Sequence, residues 1–253
     1  MQRLTQPSAG RIIGEKRLSL HFKTLGVKKY FSLYGFAYLL WLALLLVLLF
    51  AFPKRELHLM LNAHHTGFQD FFFRYYSKLA EWPLYLLAAL PLCWKKFRLP
   101  LFYALCELSA GIVVQILKHI FHADRPVRVF EDAGDAVLPL VEGVRMSHSN
   151  SFPSGHTSTF FVFATCCALL LAYRYGQRPA PNSSSKRMLR YLSLVLLLIF
   201  AALGGYSRIY LSQHFLLDVC VGSVIGFLTP CLLFHFAGNR ILKLNKKCEN
   251  VKM

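Results

Sequence analysis

Along this chain of 253 residues the apolar positions gather in long runs, with most polar residues between them. The longest, Tyr30 to Phe52, carries no charge. It exceeds the roughly 20 helical residues that a bilayer core requires. Five more follow: Leu79–Trp94, Leu99–Leu117, Thr157–Tyr175, Tyr191–Tyr206 and Phe215–Ala237. The pattern predicts an all-α fold, a six-span transmembrane helical bundle forming a single integral membrane domain over 1–253. The second run is short and contains Pro83 and Pro91, so a re-entrant segment is the alternative to a full crossing there. The first run is too long for a signal-peptide core and no small-residue cleavage site follows it, so it reads as an uncleaved span.

Charge sets the orientation. The net charge is +17, which would suit a nucleic-acid partner if it formed one surface. Instead, with the N-terminus inside, 20 of the 29 basic residues fall in cytoplasmic segments. These are the segment 1–29, the turn at Lys95, Lys96 and Arg98, the stretch from Arg174 to Arg190, and the tail 239–253. Only Glu15 and Glu249 oppose them there. An inside excess of Lys and Arg is a topology signal, so no nucleic-acid partner is expected. The seven cysteines lie in spans or, as Cys248, in the inner tail, without ligand-like spacing. They read as packing residues rather than as a disulfide framework or a zinc site.

Three polar segments qualify the picture. Arg178 to Arg187 is rich in Pro and Ser and reads as a flexible inner linker. Pro53 to Trp82 mixes charges with aromatic residues and suits an amphipathic helix lying in the interface. His64 and His65 within it are adjacent, so they point to different helix faces and make a poor metal pair. Glu107 is an acid inside the third span. It lies about 16 Å deeper than Lys118 at 1.5 Å per residue, and a hydrogen bond to a neighbouring span is its expected role.

With six spans, four segments reach the outer face together: LKHIFHADRP, FPSGHT, GGYSR and SQHFLLD. They carry Lys118, Arg125, Ser154, His156, Arg208, His214 and Asp218. His214 and Asp218 are four residues apart, hence on one helix face. A carboxylate there can take one imidazole N–H and leave the other nitrogen to act as nucleophile or base, although the same spacing also serves as a structural pair. Lys118 offers a point charge; Arg125 and Arg208 offer planar forks that match phosphate oxygens. Gly155 follows Ser154 at a helix start, where backbone N–H groups approach an anion.

Lys118-x6-Arg125-Pro126, Pro153-Ser154-Gly155-His156 and Ser207-Arg208-x5-His214-x3-Asp218 together resemble the three-part signature of the type 2 phosphatidic acid phosphatase superfamily. The resemblance implies a phosphatase needing no metal or other cofactor, with its active site at the outer membrane face. It implies that His214, oriented by Asp218, attacks phosphorus to form a phosphohistidine. His156 protonates the leaving alkoxide and then activates water. Lys118, Arg125, Arg208, Ser154 and the Gly155 amide hold the phosphate oxygens.

A site at the membrane edge implies a partner with its tail in the bilayer. Lipid A, undecaprenyl diphosphate, phosphatidylglycerol phosphate and phosphatidic acid are the candidates. Likeness to bacterial members implies an inner membrane location with the site facing the periplasm. The alternatives are a lipid phosphotransferase using the same site, or a non-catalytic lipid-phosphate binder or transporter. Between Val127 and Phe152 the acidic residues Glu131, Asp132, Asp135 and Glu142 mark either a plain connector or a lid that selects headgroups.

Overall fold

The computed structural model of the protein describes residues 9–94, 97–134, 138–176 and 183–242, with side chains between residues 29 and 238 of these. The basic side chains before Lys29, Lys95 and Lys96, Asp135, the first part of the 178–187 linker and the side chains of the 239–253 tail lie outside the described residues. Among the described residues the fold is all-helical. The helices are α1 (Ala9–Ala51), α2 (Lys54–Leu61), α3 (Gly67–Ser77), α4 (Trp82–Ala89), α5 (Arg98–Phe121), α6 (Pro126–Ala133), α7 (Gly155–Gly176), α8 (Ser184–Tyr210) and α9 (Leu216–Leu242).

Among the described residues five helical stretches are long and apolar enough to cross a membrane: Lys29–Ala51, Arg98–Ala133, Gly155–Gly176, Ser184–Tyr210 and Leu216–Gly238. The second apolar run is instead broken into α4 and a 3-10 segment, Leu90–Trp94. Its prolines account for this. Pro83 stands in the first turn of α4, where a missing N–H costs nothing, and Pro91 opens the tighter segment after it.

Helix α7 is the axis of the bundle, packed by α1, α5, α8 and α9. Its apolar window is 67% buried, against 11% for that of α1. Composition explains the difference. Ala164, Ala168 and Ala172 are fully buried and let neighbouring backbones approach, while Phe160 and Phe161 fill the space between them. On α9, a Cβ at Gly222 would stand 2.5 Å from the Ser154 carbonyl oxygen, and one at Gly226 would stand 2.4 Å from that of Ser158. These two glycines set how closely α9 meets the start of α7. Two tyrosine hydroxyls of α1 caught between helices are paired: Tyr34 Oη lies 3.2 Å from Thr165 Oγ1, and Tyr38 Oη lies 3.3 Å from Ser223 Oγ.

The polar stretch after α1 forms two helices, not the single amphipathic one expected. The chain turns at Asn62 to Thr66, and Thr66 caps α3 by accepting the Gln69 N–H at 3.2 Å. The two histidines do different things. His65 sits between Asn62 Oδ1 (2.6 Å) and Asp70 Oδ1 (2.8 Å) and stacks on Tyr210, whereas His64 is exposed. Glu107 makes the interhelical bond expected of it, accepting from Thr159 of α7 at 2.5 Å and from Tyr85 of α4 at 3.2 Å.

Candidate active site

Four chain segments meet at one end of the bundle, where α5 and α8 finish and α7 and α9 begin. Helix α8 ends at Tyr210, and the chain reverses through Leu211 to Phe215 before α9. The reversal is closed by the N–H groups of Gln213 and His214, both donating to the Arg208 carbonyl at 2.9 and 3.1 Å. Ser212, with φ of 51°, takes the left-handed conformation that the turn needs. His214 is thereby fixed one residue before the N-cap of α9, 1% exposed.

Asp218 is the third residue of α9 and turns back to its start. Its Oδ2 accepts the Phe215 N–H at 3.0 Å, the reach-back half of a capping box. The same oxygen accepts the Ser151 hydroxyl at 2.5 Å and lies 3.4 Å from His214 Nδ1. Ser151 Oγ is also 3.4 Å from that nitrogen. Asp218 further joins the next motif through its backbone, since its carbonyl accepts the Ser154 N–H at 3.0 Å. Ser154 caps α7, its Oγ accepting from the Thr157 N–H at 3.4 Å and from the Thr157 hydroxyl at 2.9 Å. Two helix N-termini thus open side by side here, each favouring an anion.

The cations close round this point. Arg125 donates from Nε to the Ser149 carbonyl at 3.0 Å and from Nη1 to Gln213 Oε1 at 2.6 Å. Arg208 is 8% exposed and donates from Nη1 to Ser77 Oγ, while its buried Nε has no protein partner among the described residues. Lys118 lies within coulombic reach of Arg125, Arg208 and Asp218. His156 lies within reach of Arg208, His214, Lys118 and Arg125, and its Nε2 is 3.8 Å from Glu81 Oε1. The structure therefore gathers Lys118, Arg125, Ser154, Gly155, His156, Arg208, His214 and Asp218 at one place. Among the described residues no group of three metal-ligating side chains forms.

Five contributors escape the sequence reading: Ser77, Glu81, Ser151, Gln213 and His58. Ser151 and Gln213 adjoin quoted motifs, so their nearness was the available signal. Ser77 and Glu81 stand in a segment without a motif. His58 of α2 is 1% exposed, 3.5 Å from Ser212 Oγ, with its ring edge-on to Phe215. It backs the turn that carries His214.

The segment after Arg125 is partly ordered as α6, which buries Val127 and Phe130 in a cluster with Phe215. Glu131 and Asp132 on it have local side-chain partners. Arg128 lies 3.4 Å from Asp124 and 3.6 Å from Asp132, and His148 is 3.3 Å from Glu131.

With this geometry in view, likenesses to known proteins take on meaning. Residues 99–242, more than half of the chain, match the PAP2 superfamily, and the chain belongs to it. It is 31% identical over 118 residues to phosphatidylglycerophosphatase B of Bacillus subtilis (strain 168), covering 46% of this chain and 54% of the relative. The chain thus spans about half the length of the curated relative it matches. The crystal structure of Aquifex aeolicus LpxE superposes with a TM-score of 0.56 at 26% identity, covering 73% of this chain and 97% of that one. Family and apolar helices together make this an integral membrane protein.

Burial governs the two histidines nearest the reversal. It pushes the His214 imidazole from 6.5 down to about 4, against the pull of Asp218 and with the nearby Arg208 and Arg125 charges. His58 is pushed down to about 4 as well, by burial, with Asp218 opposing and Lys54 assisting. Both rings stay neutral in the folded protein at pH values where an unfolded chain protonates them. The unfolded state binds more protons between pH 6.5 and about 4, so stability is level above that window and falls as pH drops through it. The effect is on the order of 3 kcal/mol per histidine. Thermal unfolding in detergent is expected to move to lower temperature across this window. His58→Asn removes one of the two groups and should shrink the shift; an unchanged shift contradicts the assignment for His58.

Proposed function

We propose that the protein is a metal-independent lipid phosphatase that works through a phosphohistidine on His214. The observation that carries this reading is the Asp218 carboxyl group, which holds Nδ1 of a buried histidine while Ser151 and the Phe215 N–H hold the carboxyl group itself. Fixing Nδ1 leaves Nε2 as the lone-pair nitrogen. Nε2 attacks phosphorus, the bond from phosphorus to the lipid oxygen breaks, and His156 gives its proton to the departing oxygen. His156 then takes a proton from water, whose oxygen displaces Nε2 and releases inorganic phosphate. Lys118, Arg125, Arg208, Ser154 and the Gly155 N–H hold the non-bridging oxygens throughout. Phosphoryl transfer is catalysed mainly by such positioning and charge stabilisation.

The proposed topology has six crossings, with Trp82–Trp94 as the second and the site at the periplasmic face of an inner membrane. Glu81 stands beside His156 at the site end, while α5 needs its 24 residues, about 36 Å, to climb from Arg98 back to that end. In the proposed topology the chain between α4 and α5 makes the opposite crossing. The basic residues fall inside under this arrangement, in keeping with the positive-inside rule. The proposed substrate has its phosphate at this edge and its chains in the bilayer. Phosphatidylglycerol phosphate and lipid A lead the candidates, supported by the relatives named above, with undecaprenyl diphosphate and phosphatidic acid beside them.

Phosphate release from these four lipids, with and without EDTA, tests the reading. Wild-type release is expected to survive the chelator. His214→Ala should abolish turnover in a protein that still folds, and Asp218→Asn should slow it roughly 10³- to 10⁴-fold through misorientation. Near-normal release by His214→Ala, or EDTA loss restored by a divalent ion, contradicts the mechanism. Topology has its own test in a variant lacking native cysteines. A cysteine placed at Ser183 should resist an impermeant thiol reagent in intact cells, while one at Ser149 should react; the reverse pattern contradicts the orientation.

A further inference from the structure

The proposed mechanism asks His156 to carry a proton, yet its ring stands within coulombic reach of Lys118, Arg125 and Arg208. Three permanent cations thus surround an imidazole that has to become an imidazolium. Asp218 offers no relief, since its Oδ2 is taken up by Ser151, the Phe215 N–H and His214. The carboxyl group that faces His156 is that of Glu81, whose Oε1 lies 3.8 Å from Nε2. This is an ion-pair separation, longer than a hydrogen bond, as catalytic contacts commonly are before substrate arrives.

The fold fixes where Glu81 stands. It lies between a 3-10 turn, Lys78–Ala80, and α4, and its N–H donates to the Lys78 carbonyl at 3.1 Å. Ala80 on one side and Leu84 on the other are buried in one apolar cluster with Phe160 and Phe161 of α7. The turn is therefore seated against the first two turns of the helix that carries His156. Just before it, Ser77 accepts from Arg208. One short segment thus reaches two members of the site. The Glu81 side chain is 51% exposed and that of His156 33%, so the pair stays open to a leaving group and to water.

We propose that Glu81 is a positioning residue for His156: its carboxylate holds Nε2–H and gives the imidazolium a counter-charge, which makes Nδ1 the nitrogen that exchanges the catalytic proton. This rests on the phosphatase mechanism above. In the first step the proton leaves Nδ1 for the lipid oxygen as the phosphorus–oxygen bond breaks and the bond from phosphorus to His214 Nε2 forms. In the second, Nδ1 takes a proton from water as the water oxygen displaces His214 Nε2 from phosphorus. The His156 ring is charged before the first step and after the second, and neutral between them. Glu81 remains a carboxylate throughout, orienting and stabilising without itself taking the proton. Each histidine of the site then has its own carboxyl group, Asp218 for His214 and Glu81 for His156.

The test is kcat/KM on decyl phosphate, phenyl phosphate and p-nitrophenyl phosphate, whose leaving groups run from an alcohol to an acidic phenol. This ratio reports the step in which the leaving group departs. An alkoxide needs the proton of His156, whereas a nitrophenolate leaves without it. Glu81→Gln keeps the size of the side chain and removes its charge. It should lower kcat/KM about tenfold or more on decyl phosphate, less on phenyl phosphate, and less than about threefold on p-nitrophenyl phosphate. His156→Ala should show the same gradation. The two losses should not add, so the double variant should be no slower than His156→Ala alone. Competitive inhibition by inorganic phosphate should keep its strength in Glu81→Gln, which a distorted site would not allow. Equal losses on the three esters, no loss on decyl phosphate, losses that add in the double variant, or weakened phosphate inhibition overturn the role of Glu81 while leaving the phosphatase in place. A His156→Ala enzyme without the gradation overturns the acid–base role of His156, and the inference with it.

Discussion

Everything at the site end of the bundle hangs on one carboxyl group. Asp218 Oδ2 gathers the Ser151 hydroxyl, the Phe215 N–H and His214 Nδ1, and its backbone carbonyl receives the Ser154 N–H. Through these bonds the residue joins the loop before α7, the cap of α7, the start of α9 and the imidazole. The two bonds from Ser151 and Ser154 are possible only where α9 lies close against α7. Gly222 and Gly226 permit that approach, because a side chain at either would meet the α7 backbone. Helix packing deep in the bundle and the aim of one imidazole at its end are therefore a single constraint. A carboxyl group in the first turn of α9 also suits the helix dipole, so local and global preferences agree.

The charge around it is arranged for an incoming anion. Arg125 and Arg208 are held by neutral oxygens, those of Ser149, Gln213 and Ser77, rather than by carboxylates. Their positive charge is oriented without being cancelled. Elsewhere the same protein pairs its charges, as Arg128 does with Asp124 and Asp132. The contrast separates a binding site from ordinary surface electrostatics. A protonated His214 ring there would add to the crowded cations and lose the lone pair that the proposed attack on phosphorus needs.

Much of this was legible in the order of residues because spans fix which loop ends share a face. Counting apolar runs placed Lys118, Arg125, Ser154, His156, Arg208, His214 and Asp218 together, and the three motifs gave them roles consistent with their chemistry. What escaped was of another kind. Ser77 and Glu81 act through a break in the chain near Pro83, where an apolar run does not make a regular helix and hydropathy cannot say which side chains return to the site. His58 and Ser151 serve as supports, and nothing in their local sequence distinguishes a serine that holds a carboxylate from one that faces water. The outer segment, predicted as one helix, is two because Thr66 caps a second start and Asn62 bonds Ser212 at 2.5 Å across the fold. That contact joins residues far apart in the chain and leaves no periodic trace.

In the proposed mechanism this arrangement makes His214 a nucleophile rather than a spectator. Trapping the covalent state tests it most directly. The protein, with His156→Ala to slow hydrolysis of the intermediate, is mixed with a lipid labelled at phosphorus, quenched in alkali and digested for peptide sequencing by mass spectrometry. A base-stable, acid-labile phosphoryl group is expected on His214, absent when Asp218→Asn is added or when the lipid is omitted. Product phosphate released with no label on His214 at any time, or label on a different side chain, would contradict it.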